Sequence, residues 1–130
     1  MYHVAVGIAS DDEQIPHKVD AVSELPESTD DVRVTLVHVH DGERPVESVP
    51  SVTEAKRRFA EADVSVDIHG AIGDDAPREV IEAMEMLDAD LLCIGGRRRS
   101  PAGKLQLKSG AQEILLQTDQ PVVVAGRVDE

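Results

Sequence analysis

The stretch Val34-Thr35-Leu36-Val37-His38-Val39 is rich in β-branched side chains and almost continuously apolar. Such a run is typical of a β-strand that is covered on both faces, as in a parallel sheet with helices above and below it. Working outward, three other short apolar segments have the length and composition of further buried strands. They comprise residues 4–8, 91–94 and 121–125.

Between these strands the apolar spacing changes to that of amphipathic helices. The apolar positions at helical intervals are Ile15, Val19, Val22 and Leu25, then Val52, Ala55, Phe59 and Ala62, then Val80, Met84 and Leu87, and finally Ile114 and Leu115. Capping-box patterns at residues 51–54 and 109–112 predict two helix starts, and Asp75 followed by Pro77 predicts another. Residues 64–68 alternate between apolar and polar side chains, which predicts a strand at the sheet edge with one wet face.

The segments therefore follow the order β-α-β-α-β-α-β-α-β with short connections, and residues 1–130 show no internal repeat or second domain. This order predicts an α/β fold, a doubly wound five-stranded parallel sheet with helices on both faces. In such sheets, ligands bind outside the carboxyl ends of the strands where the winding direction reverses. A site is expected in the loops after the first, second and fourth strands.

The chain of 130 residues carries 26 acidic and 13 basic side chains, for a formal net charge of −13, and only 2% of its residues are aromatic. That charge repels nucleic acids and anionic membranes, and the scarcity of aromatic side chains argues against a base-stacking surface. No apolar run reaches the ~20 residues of a spanning helix, no signal peptide is recognised, and the single cysteine fits a reducing compartment. We expect a cytoplasmic protein, adapted to high salt or ordinarily acidic.

The loop after the fourth strand reverses this charge locally. Residues 97–108 contain five basic side chains and no acidic one, so the rest of the chain carries −18. The loop runs from two glycines into a predicted helix start, where free backbone N–H groups and the helix dipole favour anions. The pattern favours a phosphate cradle; the alternative is a basic loop that pairs with acidic side chains.

With this loop included, the sequence resembles the universal stress protein family in its single-domain, UspA-like form. The resemblance covers the whole chain, including residues 36–39, the glycine loop and the terminal Pro-Val-Val-Val segment. It implies the strand order 3-2-1-4-5. Nucleotide-binding members carry the loop pattern G-x-x-G-x9-G-[S/T]. Here Gly95 and Ser109 match its ends, whereas Arg98 and Lys108 stand at the second and third glycine positions.

The resemblance also implies the residues of a nucleotide site for ATP or AMP. An aspartate follows the first strand in nucleotide-binding members, and the matching position here is Ala9, with Asp11 and Asp12 nearby. The implied site consists of Gly7, Ala9, Val39, Gly95, Arg97, Arg98, Lys108, Ser109 and Gly110. The alternative is a nucleotide-free interaction module that forms a homodimer through strand 121–125. That strand is expected at a sheet edge, where no Lys or Pro interrupts residues 122–125.

Other motifs are weaker. Gly103-Lys104 is followed by leucine, not by the Ser or Thr that a P-loop requires. His38 and His40 share a strand face but have no third ligand at a convincing spacing, so His38 is interpreted as a packed strand-end histidine. Cys93 is interpreted as inert core. No serine has a histidine base at a recognisable spacing, so no catalysis is expected, and ATP hydrolysis is the least supported function.

Overall fold

The computed structural model describes residues 2–10, 12–25, 32–40 and 45–126. Its strands are β1 (Tyr2–Gly7), β2 (Val32–His40), β3 (Val66–Ile72), β4 (Leu91–Ile94), β5 (Arg97–Arg99), β6 (Leu105–Leu107) and β7 (Val122–Val124). Its α-helices are α1 (Ile15–Ser23), α2 (Pro50–Glu61), α3 (Ala76–Met86) and α4 (Ser109–Gln117), and a short 3-10 helix spans Val46–Ser48.

Five strands form one parallel sheet in the order β3-β2-β1-β4-β7. The predicted α/β fold and strand order are confirmed, with β7 as the fifth strand of the prediction. In the centre, Val4 of β1 lies beside Val34 of β2 and beside Leu91 of β4. The winding direction reverses between β1 and β4, so a crevice is expected at their carboxyl ends.

The sheet separates two hydrophobic clusters. One lies beneath α1 and α2 and includes the fully buried side chains of Val4, Val6, Leu36, Val52 and Phe59. The other lies beneath α3 and α4 and includes Ala5, Val37, Met84, Leu92 and Ile114. Residues that alternate along β1 belong to opposite clusters, which explains why the strand is apolar throughout.

At the amino end of the sheet, two hydrogen bonds join His3 of β1 to Asp90, the residue before β4. The Asp90 N–H donates to the His3 carbonyl oxygen at 2.7 Å, and the His3 N–H donates to Asp90 Oδ2 at 2.9 Å. The buried His3 ring also lies 2.7 Å from the Thr35 hydroxyl. These contacts satisfy polar groups that would otherwise be costly to bury.

The helix starts differ in part from the prediction. Asp75 caps α3 as expected, since its carboxylate accepts from the Arg78 N–H at 3.3 Å. The capping box at residues 51–54 is wrong: α2 begins at Pro50, its N-cap is Val49, and no side chain caps it. Pro50 supplies the fixed φ of a first helical turn, which places Ser51 inside the helix. In the described ranges, no helix is long and apolar enough to cross a membrane.

Candidate functional site

An open cavity of about 1050 Å³ lies at the carboxyl ends of β1, β2 and β4, where the winding reverses. All nine residues of the predicted site line this cavity: Gly7, Ala9, Val39, Gly95, Arg97, Arg98, Lys108, Ser109 and Gly110. The fold therefore brings together residues from four separate parts of the chain. A cavity of this size is in the range that accommodates small ligands or cofactors.

The glycines after β4 let the backbone pass between two helices. A Cβ on Gly96 would lie 2.8 Å from the Ala111 Cβ in α4, and Gly96 has a φ of +120° that side-chain-bearing residues rarely adopt. A Cβ on Gly95 would lie 3.5 Å from the Lys18 Cε in α1. Glycine at position 96 is therefore required by conformation and by space, and the pair leaves the backbone open to the cavity.

The basic loop is a β-hairpin, an element that the sequence analysis did not predict. β5 and β6 pair antiparallel, with Arg98 opposite Gln106. Gly103 has a φ of +83° in the connecting turn, and the Ser100 Oγ accepts from the Lys104 N–H at 3.1 Å. The sequence contains a Ser-Pro-x-Gly turn signal at residues 100–103. The strand before it consists of three consecutive arginines, which show no apolar pattern from which a strand could be predicted. The hairpin holds Arg98 at the cavity, while Lys104 lies exposed outside it.

The guanidinium groups of Arg97 and Arg98 have different partners. The Gln106 amide, oriented with its oxygen toward Arg98, accepts from Nε and Nη2 of that side chain at 3.0 and 2.8 Å. Arg97 instead donates from Nη2 to the Val124 carbonyl oxygen at 3.0 Å and from Nη1 to the Gly126 carbonyl oxygen at 3.4 Å. Arg97 thus links the cavity to the end of the edge strand β7.

The bonds between β4 and β7 show which edge of β7 Arg97 reaches. The Leu92 N–H donates to the Pro121 carbonyl, and the Ala125 N–H donates to the Ile94 carbonyl, at 3.0 and 2.7 Å. Because backbone groups alternate along a strand, residues 121, 123 and 125 face β4 and residues 122 and 124 face outward. Arg97 therefore covers an outward-facing carbonyl of the sheet edge.

The amino end of α4 points its free N–H groups at the cavity. The predicted role of Ser109 as a helix cap is wrong, because α4 begins at Ser109 and its N-cap is Lys108, which makes no side-chain cap. The Gln112 side-chain amide donates to the Leu107 carbonyl oxygen at 2.8 Å. It therefore does not form the reciprocal hydrogen bond of a capping box. The N–H groups of the first turn have no partner within the helix itself, so they are available to an anion.

A buried ion pair, not predicted from the sequence, joins the loop after β1 to α1. Lys18 Nζ lies 2.5 Å from Asp12 Oδ2, and the two side chains are only 4% and 3% exposed. The Asp12 carboxylate also accepts from the Ala9 and Gln14 N–H groups at 3.1 and 2.8 Å. The resemblance implies an aspartate at position 9. Here this position is Ala9, whose backbone N–H donates to the buried carboxylate of Asp12. Asp11 lies outside the described residues.

Ser51 fastens the same loop to α2. Its hydroxyl donates to the Ser10 carbonyl oxygen at 2.6 Å and accepts from the Asp12 N–H at 3.2 Å. Ser51 is buried, and its contacts replace the capping role that the sequence pattern predicted. The loop that forms one wall of the cavity is therefore held from both α1 and α2.

The remaining candidates behave as structural side chains. His38 is buried, and its Nδ1 lies 2.7 Å from the Ile8 carbonyl oxygen, which confirms its interpretation as a packed histidine. Its ring is parallel to that of His40 at a centroid distance of 6.1 Å. Cys93 is buried, and desolvation raises the pKa of its thiol to about 11. In the part of the chain that the structure describes, no cluster of three or more His, Cys, Asp or Glu side chains is arranged for a metal ion.

Comparisons with known proteins agree with this architecture. The model of the universal stress protein family matches residues 1–126. A universal stress protein of Mycolicibacterium smegmatis is 40% identical over 72 residues, an alignment that spans 55% of this chain and 55% of that protein. The match thus covers about half the length of that relative.

Two solved structures share the fold. The universal stress protein from Archaeoglobus fulgidus superposes with a TM-score of 0.74 at 20% identity, over 97% of this chain and 99% of that one. A universal stress protein in complex with cAMP superposes with a TM-score of 0.72 at 17% identity, over 95% of this chain and 94% of that one. At these identities the likeness establishes the arrangement of strands and helices.

Proposed function

Since this chain belongs to the universal stress protein family, we propose that it is a stress-response protein that binds ATP, AMP or another phosphate ligand without catalysing a reaction. The observation that carries the proposal is the convergence of the nine predicted residues on one cavity at the winding reversal. The cAMP complex of a structural neighbour supports it, because it shows that this fold accommodates a nucleotide.

Two walls of the cavity suit the two parts of a nucleotide. We assign the base and ribose to the wall formed by Gly7, Ala9 and the Val39 backbone. We assign the phosphates to the adjoining wall, beside Gly95, Ser109 and Gly110 at the start of α4. Helix N–H groups and flexible glycine backbone are suited to phosphate oxygens, which carry several acceptor sites each.

Glycines at two positions of the family's loop let the backbone approach a phosphate closely. Arg98 and Lys108 stand there in this chain and offer positive charge instead. Both residues are exposed and line the cavity, so their long side chains can reach a phosphate from its rim. Guanidinium and ammonium groups form charge-assisted hydrogen bonds with phosphate. The five basic side chains of the loop also attract anions to a chain that otherwise repels them.

A nucleotide-free homodimeric module is the second candidate, and the existing contacts of two side chains favour it. Asp12 is already bonded to Lys18, Ala9 and Gln14, and Arg97 is already bonded to β7. Both side chains are therefore occupied without a ligand. In either case we propose a homodimer through strand 121–125, because β7 lies at the sheet edge and pairing would satisfy its outward-facing groups other than the Val124 carbonyl, which Arg97 already covers.

We further propose that the protein acts in the cytoplasm. The single Cys93 is buried in β4 and suits a reducing compartment. The charge of −13 supports adaptation to a salt-rich cytoplasm, where screening reduces self-repulsion.

The first experiment is mass spectrometry of small molecules released from the purified, denatured protein. Recovery of a nucleotide in near-stoichiometric amount supports the binding function. Protein that is empty, and that shows no rise in melting temperature with added ATP, AMP or inorganic phosphate, supports the nucleotide-free module instead.

The second experiment locates the site. Phosphate should raise the melting temperature above a chloride control of equal ionic strength, because a ligand that binds only the native state stabilises it. The Arg98→Met/Lys108→Met double variant should lose this difference. The Arg33→Met/Lys56→Met variant changes the charge equally at two exposed positions that lie outside the basic loop and the cavity, and should retain it. If both variants lose the response equally, overall charge is responsible and the assigned residues are not.

A further inference from the structure

Lys18 places a nearly inaccessible ammonium group at the cavity. Its Nζ donates to the Gly7 carbonyl oxygen at 2.6 Å and to Asp12 Oδ2 at 2.5 Å, and the side chain is 4% exposed. An ammonium group has three N–H donors. In the described part of the chain, the third donor has no acceptor, although Lys18, Gly7 and Asp12 all line the cavity. A buried donor of this kind is suited to a ligand oxygen.

Lys18 lies on the opposite side of the glycine pair from the start of α4. The position of a Cβ on Gly95 is directed toward the Lys18 Cε, whereas that on Gly96 is directed toward Ala111 in the first turn of α4. The backbone of the two glycines therefore runs between a buried ammonium and a helix amino end without a side-chain cap. A group at this crevice therefore meets N–H donors from both sides: the Lys18 ammonium, whose charge Asp12 balances, and the amino end of α4.

We propose that Lys18 is an additional phosphate-binding residue of this cavity, which holds the anion from the α1 side while the first turn of α4 holds it from the other. Asp12 is then an internal competitor, because its carboxylate occupies the same ammonium. The inference rests on the proposed function and deepens it by naming a cation outside the family's loop pattern. The ligand chemistry is a phosphate group, either free or as part of a nucleotide.

This role predicts that substitutions of the two partners change phosphate binding in opposite directions. Asp12→Asn keeps the shape of the side chain and one acceptor oxygen but removes the competing charge, so inorganic phosphate should bind about five- to tenfold more tightly. Lys18→Met removes the donor and should weaken phosphate binding about tenfold. A purely structural ion pair predicts weaker binding in both variants or a change in neither.

Isothermal titration with inorganic phosphate, supported by 31P line broadening, measures these affinities. Glu113→Gln and Lys56→Met change the net charge by the same amounts at exposed positions of α4 and α2, and should leave the affinity within about twofold of wild type. A tenfold change in either control would attribute the effects to overall charge and overturn the proposal.

Lys18→Met leaves the Asp12 charge buried without a counter-ion and can prevent folding. The Asp12→Asn/Lys18→Met double variant restores neutrality, and it should bind phosphate at least tenfold more weakly than Asp12→Asn alone. Equal affinity of these two variants overturns the role of Lys18. If Arg98→Met/Lys108→Met still abolishes binding in that case, the proposed site stands and only this inference fails. If none of these variants changes binding, both fail.

Discussion

Arg97 and Val124 are joined by a hydrogen bond of 3.0 Å that runs from the basic hairpin to an outward-facing carbonyl of the edge strand. A second donor of the same guanidinium reaches the Gly126 carbonyl at 3.4 Å. Together they fasten the carboxyl end of β7, a strand of only three residues, to the segment that lines the cavity. An edge strand this short has few ladder bonds of its own, so the contact contributes to its position.

Arg97→Met should therefore lower the free energy of unfolding by about 1 kcal/mol, since the contact is exposed and partly replaced by water. Urea denaturation measures the change, and amide exchange at Ala125 should become faster because its N–H closes the β4–β7 ladder. Arg98→Met is the matched control, because Arg98 bonds to Gln106 and not to β7. Equal losses in the two variants would show that the bond to Val124 has no specific effect.

Homodimer formation can be tested at an outward-facing N–H. Val122→Pro removes that donor at the first residue of an edge strand, where proline is tolerated, and leaves the bonds to β4 intact. We expect a monomer by light scattering at concentrations where the wild type is dimeric. Val122→Ala, which shortens the side chain but keeps the N–H, should remain dimeric. A dimeric proline variant, or a monomeric wild type at tens of micromolar protein, would contradict pairing through this edge.

Ser109→Ala should change the free energy of unfolding by less than about 0.5 kcal/mol, because Ser109 is the first residue of α4 and does not cap it. Asp75→Ala, at a true cap of α3, should cost about 1 kcal/mol in the same urea measurement. Weaker phosphate binding by Ser109→Ala at unchanged stability would identify its hydroxyl as a ligand contact. A stability loss that equals that of Asp75→Ala would mean that Ser109 supports the helix after all.

Cys93 should make the protein less stable in alkali. Burial raises the pKa of its thiol from 9.0 to about 11, so the unfolded chain loses this proton at lower pH than the native protein does. The stabilising effect of the neutral, buried thiol is complete below about pH 9 and is lost as the pH approaches about 11. At about pH 10.5 this loss amounts to about 2 kcal/mol.

Cys93→Ala separates this effect from the titration of other groups. The stability difference between wild type and the variant, measured by urea denaturation, should shrink by about that amount between about pH 8 and about pH 10.5. A constant difference would mean that the native thiol ionises as readily as an unfolded one.

The net charge of −13 predicts a strong dependence of stability on salt. The melting temperature should rise steeply with KCl, because screening reduces repulsion among the acidic side chains. Sucrose at equal osmolality serves as the control for a general solvent effect. A flat response to KCl would contradict adaptation to high salt.

The sheet and its covering helices could be predicted because their apolar spacing is regular. Val52, Ala55 and Phe59 follow at helical intervals, and all three are completely buried on the face of α2 that packs on the sheet. The strand order came from the family resemblance, since periodicity does not determine which strands are neighbours. The location of the cavity followed from that order.

The local contacts of the site were harder to predict. Lys18 lies on the same helical face as Ile15 and Val22, and that spacing is the available signal that its side chain is buried. Its partner Asp12 lies in a loop, where no periodicity indicates which way a carboxylate points. The two false caps arose because Ser51 and Ser109 match a sequence pattern, whereas the helices begin at positions set by the backbone at Val49 and Lys108.

The two hydrogen bonds between His3 and Asp90 have a consequence for synthesis on the ribosome. β1 pairs with β2 soon after both have been made, but its other edge is paired only when β4 emerges much later. Until then a nascent sheet of β1, β2 and β3 presents an apolar, unpaired edge, which is the kind of surface that chaperones recognise and that misassociates. Arrival of β4 closes that edge, and the paired hydrogen bonds between His3 and Asp90 fix its register. Completion of the fourth strand therefore closes the edge of β1, and the other edge of β4 is paired only when β7 follows.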